Sequence, residues 1–391
     1  MCTRSRSAYS ELSGVGEPGT LPSWTGAHWG NVEKLVRGRR VKAVVYPDYG
    51  VTPTLTQVSE PICPDDGVVI DVGATGVCRS DWHAWKGHEP VELPHIPGHE
   101  LAGTIFHTGP GVTRWRIGDR VTVPFVCGCG VCDYCLAGDA QVCPNQTQPG
   151  FTGRGSFAER VAIHAADMNL VALPDTIDLV TAASLGCRFA TAFRALSAHG
   201  RLAPGDWLAV HGCGGVGLSA VMIGTALGAH VVAIDVVEAA LGRASELGAE
   251  AVVDASSTSD TAAAVREITG GGARVSIDAL GAEATAVASV RCLRPRGRHV
   301  QVGLLLGAAS TPPIPMDVVV ARELEIYGSH GMAAHEYPAM LARVADGSLR
   351  PELLLGEVIG LDQAGEALAA MDRPSLSAGM TVIELPSAGS L

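Results

Sequence analysis

Between Val41 and about Leu185 short apolar runs alternate with polar residues, whereas the stretch that follows has a strand–helix–strand rhythm. In the first region the runs Val41-Lys42-Ala43-Val44-Val45-Tyr46, Val68-Val69-Ile70-Asp71-Val72 and Arg120-Val121-Thr122-Val123 are separated by Gly/Pro turns. That pattern predicts a mainly β region. From about Thr191 to His330 the expected elements are an apolar strand at Trp207–His211, a helix of small residues at Gly215–Leu227 and a strand at His230–Ile234. The rhythm recurs at Val275–Asp278 and His299–Val302, which favours a parallel, doubly wound sheet. After about Gly331 the pattern returns to helix and a last strand, Thr381–Glu384, expected to pack back on the first region. Met1 to Arg40 lacks periodicity and is rich in Ser, Gly, Arg and Pro, so it reads as a disordered extension. The expected architecture is α/β: a doubly wound parallel-sheet domain at 191–330, beside a mainly β domain built from 41–190 and 331–391.

Composition narrows the classes. A chain of 391 residues is longer than one core usually supports, in keeping with two domains. A formal charge of −12 argues against nucleic acid or an anionic membrane as partner. No apolar run approaches the roughly 18 residues a membrane helix needs. Five of the eleven cysteines fall between Cys127 and Cys143, which suits metal thiolates in a reducing cytoplasm better than disulfides.

Cys129-x₂-Cys132-x₂-Cys135-x₇-Cys143 has the spacing of a tetrahedral zinc site. Four thiolates leave no open position, so this ion is expected to hold its loop together. Gly212-Cys213-Gly214-Gly215-Val216-Gly217 is a dinucleotide fingerprint between the strand and the helix expected there. Gly212 makes the tight turn, Gly214 admits a pyrophosphate, and Gly217 lets the helix pack closely on the strand. Asp235, 23 residues after Gly212, closes the next strand, where an acid accepts ribose hydroxyls and repels a 2′-phosphate. NAD is therefore expected over NADP. Arg243, eight residues further on, could weaken that exclusion unless it faces solvent. Val302 and Gly303, at the end of a later strand, are added to the cofactor contacts, with Gly215 and Val216.

Gly76-Val77-Cys78-Arg79-Ser80-Asp81-Trp82-His83, followed by Gly98-His99-Glu100, resembles the medium-chain, zinc-dependent alcohol dehydrogenases from Val41 to Ile383. The resemblance implies a GroES-like catalytic domain. It also implies a catalytic zinc on Cys78, His99 and Cys187, with Glu100 as an adjacent or alternate ligand and Asp81 orienting the histidine. Ser80 and His83 are implied as a proton relay, and Arg79 as a partner of the cofactor pyrophosphate. Phe125 matches a substrate-pocket position. Two departures stand out: Arg188 follows Cys187 where a small residue is common, and no C-terminal arginine can be placed against the pyrophosphate.

The remaining candidates are read plainly. Cys127 fits the structural zinc worse than its neighbours, and Cys63, Cys213 and Cys292 are expected to be small buried side chains. Trp82 and Trp85 suit core packing as well as substrate contact. Arg291, Arg294, Arg296 and Arg298 are expected to be solvated around a turn. His88 and His330 receive no ligand role. The expected function is zinc-dependent hydride transfer between NAD and an alcohol/aldehyde pair, primary and apolar, with two zinc ions per chain. A secondary-alcohol, polyol or formaldehyde thiol-adduct dehydrogenase is the alternative, and a non-catalytic zinc- and nucleotide-binding protein is the other class. A cytoplasmic homodimer or homotetramer is expected, joined near Val300–Leu306 and the Pro-rich 311–315 segment.

Overall fold

In the computed structural model residues 39–373 and 379–386 are described; the extension expected at residues 1–40 lies almost wholly outside them. Trp207–His211, His230–Asp235, Ala251–Asp254, Ala273–Asp278, Leu293–Gln301 and Glu325–Gly328 form one six-stranded parallel sheet. Numbered along the chain, its strands lie in the order 3-2-1-4-5-6, the doubly wound dinucleotide-binding arrangement. The order reverses beside Trp207–His211, which carries the glycine fingerprint to the crevice at the carboxyl ends of the strands. The helix after it, Gly215–Ala226, has eight consecutive buried residues from Gly217 to Gly224. It shows no amphipathic period because it is covered on all sides, and small residues make that possible. A Cβ at Gly217 would lie 1.7 Å from the Gly212 carbonyl oxygen, so only glycine lets helix and turn approach this closely.

A second, mostly antiparallel sheet holds Val68–Gly76 between Glu100–Thr108 and Met380–Glu384. The final strand pairs Val382 with Gly76, so the C-terminal segment closes the sheet begun near the start of the described residues. Helical segments from Leu179 to His199 link the two sheets, and one apolar core runs from Ala74 and Ala102 through Leu185 and Phe189 to Leu208 and Val210. Among the described residues no helix is long and apolar enough to cross a membrane.

Two local expectations are corrected. The strand at Leu293–Gln301 starts before the arginine-rich stretch ends, so Arg298 is buried and pairs with Glu325 at 3.0 Å rather than being solvated. Val300 is also buried, because its strand is flanked on both sides, whereas Leu304 further along the same run is exposed; the edges of the sheet are Ala251–Asp254 and Glu325–Gly328.

Candidate active site and structural metal loop

The carboxyl end of Val68–Gly76 delivers Cys78 two residues later, and Gly76 pairs directly with Glu100 on the neighbouring strand. His99 therefore arrives beside Cys78. Cys187 comes from the π-helical turn Leu185–Phe189, a widened turn of the kind that often marks a functional site. One ligand atom each from Cys78, His99, Glu100 and Cys187 lies within 4.8 Å of the others.

Asp81 is fully buried and organises this convergence. Its Oδ2 accepts from the Cys78 amide at 3.0 Å, while Oδ1 accepts from the Gly98 amide and from His99 Nδ1, each at 2.9 Å. A proton on Nδ1 leaves Nε2 with a lone pair, and Nε2 is buried with no hydrogen-bond partner among the described residues. An orphaned acceptor facing two thiols fits a metal ion. Cys78 is held well below the usual thiol range, first by a hydrogen bond from Cys187 and then by His99 and Arg188, against its burial. Glu100 is pushed up by burial and opposed by Arg188. Both its oxygens are taken: Oε1 accepts from Arg188 N and Nε at 3.1 and 3.0 Å, and Oε2 from Nη2. Glu100 therefore sits in the cluster with its carboxylate directed to Arg188.

Ser80 Oγ lies 3.9 Å from Cys78 Sγ. His83 is bonded through Nδ1 to His88 Nδ1 at 3.0 Å, and burial, His88 and Arg79 lower its pKa. His88 is thus a neighbour that the sequence reading left unused. The rings of Phe125 and Phe151 stand 6.0 and 5.2 Å from the His99 ring, and His330 packs on Phe125 at 5.2 Å. Phe151 carried no sequence signal, since the loop holding it reaches His99 only because Gly150 and Gly155 press against the Gly98 backbone. Trp85 is buried and donates to the Val51 carbonyl, whereas Trp82 donates to Asp372, so both have packing partners away from the cluster. Arg79 donates to the Met371 carbonyl at 2.7 Å and lies over the Trp82 ring.

The second cluster is local. Gly130 and Gly138, both at positive φ, turn the chain around the short helix Asp133–Ala137, bringing Cys129, Cys132, Cys135 and Cys143 together. Cys132 Sγ lies 3.6 Å from the sulfurs of both Cys135 and Cys143. Zn–S bonds of about 2.3 Å in a tetrahedron require S···S edges of about 3.8 Å, so the spacing fits zinc. Backbone amides of Cys129 and Asn145 donate to Cys143 Sγ, and the Val131 amide leads the groups that hold Cys129 down to about 6. Cys127 stands apart: it is buried against the Pro124 carbonyl, and burial pushes its thiol up to about 12. Cys213 and Cys292 are buried as expected, whereas Cys63 is only half-buried.

At the nucleotide turn Asp235 Oδ2 accepts from the Cys213 amide at 2.6 Å, and Oδ1 accepts from Val236 and Val237. Val302 and Gly303 donate to the Asp278 carbonyl at the carboxyl end of the same sheet. Arg243 is engaged with Glu246 and the Leu353 carbonyl, not with Asp235.

Residues 64–175 match the alcohol dehydrogenase GroES-like domain and residues 215–346 the zinc-binding dehydrogenase domain. The chain belongs to the zinc-dependent medium-chain alcohol dehydrogenase family. It is 34% identical over 313 residues to an alcohol dehydrogenase of Geobacillus stearothermophilus, covering 79% of this chain and 90% of that protein. The alcohol dehydrogenase TADH from Thermus sp. ATN1 superposes with a TM-score of 0.82 at 30% identity, covering 88% of this chain and all of that one. A zinc-binding dehydrogenase of Sinorhizobium meliloti 1021, bound to NADP, gives 0.79 at 26% identity over 89% of this chain and all of that one. The fold and the oxidoreductase class follow from this membership.

Proposed function

We propose that the protein is an NAD-dependent zinc alcohol dehydrogenase interconverting small, apolar primary alcohols and their aldehydes. The observation that carries this reading is the buried His99 Nε2, unpartnered among the described residues, facing Cys78 and Cys187 with its ring fixed by Asp81. When bound, zinc on these three ligands would supply a Lewis acid toward the substrate oxygen, and NAD would carry the hydride. The chain's own residues do the rest. Asp81 keeps the proton on Nδ1, so that Nε2 stays available. Phe125 and Phe151 wall the site with apolar surface and keep water away, which favours a compact apolar substrate. Ser80 holds the hydroxyl proton of the alcohol. His83 passes it outward, its lowered pKa keeping it neutral and able to accept.

Gly212, Gly214, Gly215, Val216 and Gly217 form the turn and helix N-terminus that receive the pyrophosphate. Asp235 takes the adenosine ribose and disfavours a 2′-phosphate. The Cys129–Cys143 loop holds a zinc ion of purely structural role. Chains associate along the edge strand Glu325–Gly328, where Ile326 is 43% exposed, to give a dimer or tetramer; a monomer by light scattering at micromolar concentration would contradict this. The test of function is a screen for NADH and NADPH formation across primary alcohols, secondary alcohols and polyols, with the reverse aldehyde reactions. The reading expects NADH from small apolar primary alcohols, and turnover confined to polyols or to NADP would refute it.

A further inference from the structure

Arg188 sits between the metal cluster and the nucleotide turn. Its backbone N, Nε and Nη2 all donate to Glu100, using both carboxylate oxygens. The other edge of the guanidinium faces the fingerprint. A Cβ built on Gly215 would meet Arg188 Cδ at 2.5 Å and Nη1 at 3.4 Å. Among the described residues Nη1 has no hydrogen-bond partner. Arg79, the guanidinium expected at the pyrophosphate, is instead held by the Met371 carbonyl and the Trp82 face. Gly215 is the first residue of a twelve-residue helix, so its surroundings already favour an anion. A guanidinium with one edge saturated by a carboxylate and a free N–H beside a helix N-terminus suits an anion shared with backbone amides.

We propose that Arg188 binds the cofactor pyrophosphate through Nη1 while its other edge occupies both oxygens of Glu100 beside the metal ligands, so that one guanidinium serves both sites. The proposal rests on the dinucleotide reading of the turn. It explains why a bulky cation follows Cys187: the widened helical turn that presents the thiol also presents the arginine to the phosphates. Gly215 is then needed to make room for the Arg188 stem.

Arg188→Met alone would strand a buried carboxylate, so the test neutralises both partners. Arg188→Met/Glu100→Gln is compared with Glu100→Gln, each zinc-loaded, by calorimetric titration with ADP-ribose and with adenosine. Loss of a charge-assisted bond should weaken ADP-ribose binding roughly 10- to 100-fold in the double variant relative to Glu100→Gln, leaving adenosine unchanged. The salt dependence of ADP-ribose affinity should also become shallower. Equal ADP-ribose affinity in the two variants, or an equal loss for adenosine, would overturn the assignment. Failure of the wild-type protein to bind ADP-ribose would overturn the dinucleotide reading and Arg188 with it.

Discussion

Asp81→Asn changes one oxygen to an NH₂ group at a position where three donors converge. Asp81 Oδ1 accepts from Gly98 N and His99 Nδ1, and Oδ2 from Cys78 N. An asparagine that keeps its oxygen toward Gly98 and His99 must turn its NH₂ on the Cys78 amide. The opposite orientation confronts Gly98, and it also drives the His99 proton onto Nε2, where it blocks metal binding. The first orientation leaves the Cys78 N–H and the asparagine NH₂ without acceptors and the second leaves the Gly98 N–H and the His99 Nε2–H, so either strands two buried donors at about 1–3 kcal/mol each. The expected loss of stability is therefore about 2–6 kcal/mol, a sizeable part of a typical total of about 5–15 kcal/mol. Replacing the carboxylate also makes His99 a weaker ligand, and the loss of such a supporting group lowers metal affinity roughly 10- to 100-fold. A chromophoric chelator competition resolves the two zinc ions, and denaturant unfolding of the same samples gives the stability. One zinc should weaken on this scale while the other is unchanged. Wild-type affinity for both ions with an unaltered unfolding midpoint would refute the reasoning.

Other consequences can be checked separately. Cys135→Ser should lower the thermal midpoint and release one zinc, because a closed site contributes folding energy directly; calorimetry with metal analysis reads both, and an unchanged midpoint would count against the site. Asp235→Ala should weaken NAD by roughly one to two decades and narrow the NAD/NADP preference, read by binding titrations with each; an unchanged ratio would exclude the carboxylate from discrimination. Burial, aided by His299, lowers His211 from 6.5 to about 3, so its neutral form stabilises the fold above pH 6.5 and that contribution is lost as pH falls toward 3. Between pH 6.5 and 5.5 the wild type should lose about 1 kcal/mol more than His211→Leu in denaturant unfolding, and parallel pH profiles would contradict this.

What the sequence revealed depended on how locally each feature is determined. Trp207–His211 is a strand with the expected limits, and the following helix ends one residue earlier than expected. The four cysteines of the metal loop lie within fifteen residues, so spacing alone points to their convergence. Cys78, His99 and Cys187 are far apart in the chain and meet only through the pairing of Gly76 with Glu100 and the placement of a π-helical turn. Their grouping was legible through family resemblance, not spacing. Arg298 was misjudged because its partners, Glu325 and the Gly200 carbonyl, come from other parts of the chain. Phe151 and the Arg188–Glu100 pair were hidden for the same reason, although the unusual residue after Cys187 marked the place.

The central claim is that this chain carries one structural and one catalytic zinc, the latter on Cys78, His99 and Cys187. Elemental analysis of the purified wild type and of His99→Ala, with NADH formation measured on the same preparations, tests it most directly. The account predicts two zinc ions per chain in the wild type, then one ion and no turnover in a folded His99→Ala protein. A single zinc in the active wild type, or NADH formation undiminished without His99, would contradict it.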